Sequence, residues 1–345
     1  MKRIVLLILI LMLACSCPAI TVDFGDPAPV EPQTVPVEPP TEPVPPVVAA
    51  PETVITGEGA AIARRHLQAL TDIGPRWAGT PEDVEAQQYI AGAFDSIGYV
   101  SEIQPFTAYD EWEEEYVDSA NVVAVKAGQS TLEIIVGAHY DSSDEGLGTD
   151  DNASGVAVLL AAAELVREVD TPYTIIFVAF GGEEAGFLGS TAYVEQMDSS
   201  EIANVVVMIN LDCVSVGDIA YVYSDEGPDA AARDWILAWA GANGYPLQTI
   251  PNVDLQDDGY GVSDYDPFSS AGIPWAYFEA TNWTLGDQDG YTQVDERYAD
   301  DGMILHTQYD DLAYFDATFP GRVDQRLDLF VTVLVNFLTQ YQAPR

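Results

Sequence analysis

The fold turns on Ile134-Ile-Val-Gly-Ala-His139-Tyr-Asp141-Ser-Ser and, after a short loop, Gly148-Thr-Asp-Asp151-Asn-Ala-Ser-Gly155. The apolar run 134–138 is short, β-branched and unalternated, which predicts a strand buried on both faces. It delivers a histidine at its carboxyl end. Residues two apart on an extended chain point to the same side, so Asp141 is placed to face one ring nitrogen of His139. Asp151 stands after a glycine-rich loop and just before the apolar run 156–166, which predicts a helix. One strand–loop–helix unit thus carries an imidazole and a carboxylate at its mouth. Open α/β sheets bind ligands in such crevices beyond their strand ends.

The same grammar repeats along the chain. Residues 173–180 form a second buried strand, followed by Gly181-Gly-Glu183-Glu184-Ala-Gly-Phe-Leu-Gly-Ser190. Residues 205–212 form a third, with Asp212 at its end. Further strands are expected over 101–108, 116–127, 219–223 and 273–279. Helices are expected over 57–70, from Thr80 to about residue 94, over 229–242 and over 320–341. Thr80 with Pro81 after it is a helix-start pattern. The acidic connector 110–115 reads as a solvated loop. Strands alternating with helices predict an α/β fold, a three-layer α/β/α sandwich around a mixed, mostly parallel sheet.

Three buried strands in turn therefore end in acids or histidine, and a further histidine, His306, stands in Ile304-Leu-His306-Thr-Gln-Tyr-Asp310. His66, the remaining one of three, falls in the first helix and reads as a solvated or packing residue. Gathering carboxylates at one end of a sheet is costly without positive charge. Bases are scarce, so metal ions are the natural counter-charge. Asp151, Glu184 and Asp212 supply three negative charges and two neutral imidazoles supply none. Two divalent cations and one hydroxide bring that set to neutrality. The mixed nitrogen and oxygen donors suit zinc, with manganese or cobalt as replacements.

In combination, these segments resemble metallopeptidase family twenty-eight, the secreted double-zinc aminopeptidases, which share their fold with glutaminyl cyclases. The motifs that carry the resemblance are Gly74-Pro-Arg76-Trp-Ala-Gly-Thr80, His139-Tyr-Asp141-Ser, Asp151-Asn-Ala-Ser-Gly, Gly182-Glu183-Glu184-Ala-Gly-Phe-Leu-Gly-Ser, Ile209-Asn-Leu-Asp212, Ser263-Asp264-Tyr-Asp-Pro-Phe268 and His306-Thr. The resemblance implies that Asp151 bridges two zinc ions, one completed by His139 and Asp212 and the other by Glu184 and His306. It implies Glu183 as general base and then general acid, and Asp141 as the residue orienting His139. The implied reaction is release of the first residue from peptides with a free amino terminus, by a water shared between the metals. A single-zinc glutaminyl cyclase and a carboxypeptidase on the same scaffold are the enzymatic alternatives. A non-catalytic binding domain is another, against which stands the presence of every ligand and the base. One departure concerns the tyrosine that polarises the carbonyl in some relatives. Leu305 precedes His306 here, leaving Tyr291, Tyr298 and Tyr309 as substitutes. The acidic, aromatic segment 282–302 reads either as a loop over the active site or as a surface insertion. Cys213, next to Asp212, hints at a modest apolar niche for the substrate's side chain.

Composition sets the address. The formal charge is −44 over 345 residues, and only Lys2 and Lys126 are lysines. Such a surface repels nucleic acid and anionic headgroups. Met1-Lys-Arg3 followed by ten apolar residues fits an export signal too short to span a bilayer. Ala14-Cys15-Ser-Cys17 follows and resembles the lipobox of bacterial lipoproteins, with Cys15 or Cys17 as the lipid anchor. Residues 1–17 thus read as a signal peptide, 18–55 as a Pro- and Glu-rich tether, and 56–345 as the catalytic domain, exported and either extracellular or membrane-anchored. Cys213 has no disulfide partner within that domain and is expected as a buried inert thiol.

Overall fold

The computed structural model describes residues 58–110, 114–250, 263–286 and 290–344. The leader and tether lie outside the described residues, as do 111–113 of the acidic connector and 287–289 of the segment before His306. The chain opens on α1 (Glu58–Ile73) and α2 (Pro81–Ser96). Thr80 caps α2 by accepting a hydrogen bond from the Asp83 amide, with Pro81 in the first turn. Proline has no amide hydrogen to leave unsatisfied there.

Among the described residues eight strands follow: β1 (Ser101–Asp110), β2 (Glu115–Lys126), β3 (Ser130–His139), β4 (Tyr173–Phe180), β5 (Val205–Leu211), β6 (Ile219–Tyr223), β7 (Leu247–Gln248) and β8 (Trp275–Thr281). They form one sheet in the order β1-β2-β4-β3-β5-β8-β6-β7. Its centre, β4-β3-β5-β8, is parallel, while β1, β2 and β6 join antiparallel. The expected mixed, mostly parallel sheet is what the chain forms.

Period-two alternation divides the strand side chains between two cores. Ile134, Val136, Ala138, Phe177, Ile209 and Phe278 face α1, α2, α3 (Gly155–Val166) and α9 (Arg322–Gln340). Ile135, Val178, Phe180, Met208, Tyr223 and Tyr277 face the other way, towards α4 (Leu188–Glu195), α5 (Ser199–Asn204) and α7 (Tyr265–Ser270). Helices α6 (Ala231–Asn243) and α8 (Leu312–Thr318) add to the first side. Both faces of β3 and β4 are covered, which is why their sequences run apolar without alternation.

Several elements depart from the sequence reading. Helices α4, α5, α7 and α8 and strand β7 were not expected from the apolar pattern. All are eight residues or shorter, too few turns for a 3.6-residue period to show. β1 runs on to Asp110, which is buried, so the acidic stretch begins inside the sheet rather than in a solvated loop. Of the two readings of His66, solvated or packing, the structure shows packing, its Nδ1 2.8 Å from the Tyr89 hydroxyl. Segment 282–302 is more than a surface insertion, since Gln293 and Val294 within it are buried. None of the described helices is long and apolar enough to cross a membrane.

Candidate metal centre

The carboxyl ends of β3, β4 and β5 lie side by side, and each hands a functional group to the same rim. His139 is the last residue of β3. Glu183 and Glu184 follow β4 through a turn in which Gly182 takes φ +72°, a conformation that side-chain-bearing residues rarely adopt. Asp212 directly follows β5. Asp151 comes from the turn Thr149–Ser154 that runs into α3, at a kink where its own backbone leaves helical geometry with φ −111° and ψ 92°. His306 arrives from the loop between β8 and α8.

Asp151 sits at the middle of this group. Its Oδ1 is 3.3 Å from His139 Nε2, and its Oδ2 is 3.0 Å from His306 Nε2. His139 Nε2 also lies 3.3 Å from Asp212 Oδ1 and 4.0 Å from Glu183 Oε2. His306 Nε2 lies 2.9 Å from Glu184 Oε2. The structure thus brings together His139, Asp141, Asp151, Glu183, Glu184, Asp212 and His306, all seven residues singled out from the sequence. His139 is sealed in, whereas the His306 side chain is 45% exposed and stands at the mouth.

The donor set fits metal. Two ligands on a tetrahedral zinc ion, each about 2.0–2.2 Å from it, stand roughly 3.4 Å apart. His139 Nε2 keeps that spacing to both Asp151 and Asp212. Donor atoms of His139, Glu183 and Asp212 lie within 4.8 Å of one another, as do those of His139, Asp151 and Glu184.

Electrostatics shows what the group does without metal. Burial alone would lower the His139 pKa, but Glu183, Asp212, Asp141 and Asp151 outweigh it and raise it well above the usual imidazole range. His306 is likewise raised, to about 12, by Asp151 and Glu184 against the effect of burial. Burial pushes Glu184 up to about 7, with the Asp151 charge adding to it. Burial also raises Glu183 well above the carboxylate range, helped by Asp212, Asp264 and Glu184. Asp151 goes the other way, because its two histidines outweigh the cost of burying it. The neighbouring acids thus favour positive charge at both imidazoles, the same demand that cations among them would meet.

A shell of further residues fixes these side chains. The carboxylate of Asp141 accepts the Glu183 and Glu184 amides, each at 3.1 Å. It lies 3.6 Å from His139 Nδ1, longer than a hydrogen bond, so the turn carrying the two glutamates is its tighter contact. Ser263 donates to Asp212 Oδ2 at 2.8 Å and accepts from Asn210 at 2.7 Å.

Four supporting residues received no role from the sequence. Asp310 accepts the Asp150 and Asp151 amides at 2.6 and 3.2 Å. Asp150 in turn accepts from the backbone and hydroxyl of Ser215, and from Gln293 at 2.7 Å. Gln293 Oε1 accepts the Ile304 and Leu305 amides, 3.1 and 2.8 Å away, just before His306. Arg76 is fully buried and donates to the carbonyls of Leu70, Gly74, Tyr140, Leu147 and Gly148. The position of Asp310 four residues after His306, and of Arg76 in its Gly-Pro-Arg turn, was the available signal. Neither has a spacing rule that names its partner.

Two of the three tyrosines offered as carbonyl-polarising groups are engaged elsewhere. Tyr298 packs edge-on against Phe319 at 5.0 Å, and the Tyr309 hydroxyl lies 3.4 Å from Asp300. Tyr291 is 54% exposed. Cys213 is a buried free thiol, its pKa pushed well up by burial and then by neighbouring acids.

Comparison with known proteins matches residues 121–331 to the model of peptidase family M28. The chain belongs to that family. It is accordingly a metallopeptidase, and the matched segment runs from within β2 to the first half of α9. It is 34% identical over 301 residues to the alkaline phosphatase isozyme conversion protein of Escherichia coli K12, covering 78% of this chain and 86% of that one. A probable lipoprotein aminopeptidase, LpqL of Mycobacterium tuberculosis, is 33% identical over 164 residues, 45% of this chain and 33% of its own length. Among solved structures, a zinc aminopeptidase from Bacillus subtilis superposes with a TM-score of 0.66 at 18% identity, covering 84% of this M28 chain and 98% of that one. The glutaminyl cyclase of Porphyromonas gingivalis superposes with a TM-score of 0.62 at 20% identity, over 81% and 97%. Those structural likenesses establish the shared fold.

Proposed function

We propose that this M28 chain is a zinc-dependent aminopeptidase that removes the first residue from peptides, using two metal ions that share Asp151. The observation that carries the reading is the two-sided engagement of Asp151, one oxygen towards His139 and the other towards His306. A single-zinc glutaminyl cyclase has no need of a shared carboxylate. His139, Asp151 and Asp212 would hold one ion, and Asp151, Glu184 and His306 the other.

When bound, the zinc pair would supply Lewis-acid polarisation of the scissile carbonyl and a water of lowered pKa. Glu183 would accept the attacking water's proton on its carboxylate and return it to the departing amine nitrogen. Asp141 keeps Glu183 at its station by holding the backbone amides of both glutamates. The deep burial of Glu183 keeps bulk water from competing for the proton. The chain's net charge of −44 favours approach of the positive amino end of a peptide over its negative carboxyl end.

For the segments outside the described residues, we propose residues 1–17 as an export signal, lipid attachment at Cys15 or Cys17, and 18–55 as the tether of a catalytic domain spanning 56–345. The lipoprotein name of the LpqL relative supports that reading. Its test is membrane fractionation of the full chain with Cys15 and Cys17 replaced singly.

The decisive experiment on function pairs metal analysis with a panel of aminoacyl anilides. Two zinc ions per chain and release of free amino acid are expected. One zinc per chain with cyclisation of N-terminal glutamine would overturn the reading in favour of the cyclase.

A further inference from the structure

Trp77 stands in the turn between α1 and α2, and the proposed reaction gives it no task. Its neighbours in the chain are firmly held. Arg76 donates to five carbonyls, and its own amide donates to Ser142 Oγ at 3.0 Å. Ala78 is 4% exposed. The Thr80 amide and hydroxyl both donate to the Trp77 carbonyl, at 3.1 and 2.7 Å. The indole is only partly buried and packs with neither hydrophobic core. It forms no hydrogen bond or ring contact among the described residues. A large aromatic side chain left partly in water on a fixed backbone is the kind of group that anchors a bound chain.

The turn lies against the strand ends that bear the glutamates. A Cβ placed on Gly182, next to Glu183, would stand 3.6 Å from Ala78 Cβ, and one on Gly79 would stand 3.8 Å from Val117 Cβ in β2. In the sheet, β4 and β2 lie on one side of β3, and β5, which leads to Asp212 and Cys213, lies on the other. A substrate whose first side chain enters the niche expected beside Cys213 therefore leaves the rim over β4 and β2, past Trp77. Glu183, the group that returns a proton to the departing nitrogen, stands on that path. The β1–β2 hairpin continues it. Pairing of β2 with β4 ends at Val122–Ala179, whereas β1 and β2 pair on to Asp110–Glu115. Near that end Tyr109 and Tyr116 are 45% and 74% exposed, their rings edge-on with centroids 5.1 Å apart.

We propose that Trp77 receives the side chain of the substrate's second residue, the one whose nitrogen departs, and selects an aromatic or large apolar one. Tyr109 and Tyr116 then supply apolar surface for the residues after it. The inference rests on the aminopeptidase reading. A ring laid against the indole removes both from water and adds the attraction between their π-systems. This contact lies off the reacting atoms and is made alike before and during the reaction, so its effect belongs in KM.

The test uses the zinc-loaded full chain and two dipeptide amides, with phenylalanine or glycine in second place. Both carry the first residue that the anilide panel shows to be released fastest. The wild type is expected to show kcat/KM about 10-fold higher for the phenylalanine amide, through KM, the span of one aromatic pair with the area it buries. In Trp77→Ala that ratio should fall towards about 1, and Trp77→Phe should keep most of it. Hydrolysis of both amides by the wild type with equal kcat/KM would overturn the inference alone. A folded, zinc-loaded Trp77→Ala that keeps the ratio would also remove it. So would one that slows both amides in equal measure, which would mark the indole as a support of the turn. A preference carried by kcat, with KM the same for both amides, counts against it as well. Failure to release an amino acid from either amide or any anilide would sink the aminopeptidase reading and this inference with it.

Discussion

Glu183 is the residue on which the proposed chemistry turns, and it touches the metal-ligand set without being needed to complete it. Glu183→Gln keeps the shape and loses the base, so turnover should fall about 10²- to 10⁴-fold. Zinc content, read by atomic absorption, should stay at the wild-type level. The histidines make a second prediction. Metal-free, His139 and His306 have raised pKa values, and Glu184 is raised to about 7. The folded metal-free protein then binds more protons than the unfolded chain from about pH 4.5 for Glu184 and about 6.5 for the histidines. Its stability from these groups is full below that window and is lost as pH rises through the folded values. Zinc needs the same groups deprotonated, so its binding strengthens with pH and releases protons. The rise in melting temperature on adding zinc should therefore be larger at pH 8 than at pH 6. Calorimetry in buffers of different ionisation enthalpy would count the protons, and a pH-independent zinc shift would contradict the arrangement. Arg76 belongs at this scale too. Replacing it with Met leaves five carbonyls without their shared donor, and stability should drop by about 3–5 kcal/mol in urea unfolding of the zinc-loaded enzyme.

At the scale of elements, the segment between β8 and α8 is the part whose role the sequence left open. Its pattern, acidic and aromatic with no period, is that of a surface loop. The structure instead tucks Gln293 between Asp150 and the amides of Ile304 and Leu305, so one side chain ties the loop of Asp151 to the loop of His306. Gln293→Ala should weaken zinc binding by about 10- to 100-fold, as loss of an outer partner does elsewhere. Competition with a chelator of known affinity would measure it. Gly148 marks the same principle in backbone form. It has φ +58°, and a Cβ there would meet Ser142 Cβ at 2.3 Å and Arg76 Nη2 at 2.7 Å. By contrast, β3, β4, β5 and α3 were plain in the sequence. Each is a long apolar run, and an element buried on every side leaves no polar residue to blur its pattern. The short helices α4, α5, α7 and α8 were hidden because they are held by neighbours rather than by a stripe of their own.

Across the whole molecule, the charge of −44 has to be carried by a fold with few bases to offset it. Self-repulsion of that size favours the expanded chain and is screened by salt. The melting temperature should rise between about 10 mM and 1 M sodium chloride, over which the screening length shrinks from about 30 Å to about 3 Å. A flat response would mean that the acids are spread too far apart to matter. What the chain determined by itself was the order of its long strands and helices and, with the family's motifs, the seven candidate residues at the rim, since apolar runs and short motifs are properties of adjacent positions. The pairing of distant residues was decided only by the tertiary structure. Asp310 on the Asp151 loop, Gln293 between two loops and Arg76 beneath them are joined across tens to hundreds of positions by how the sheet stacks its strands. No periodicity encodes such contacts, because each depends on where a second element, folded elsewhere, comes to rest.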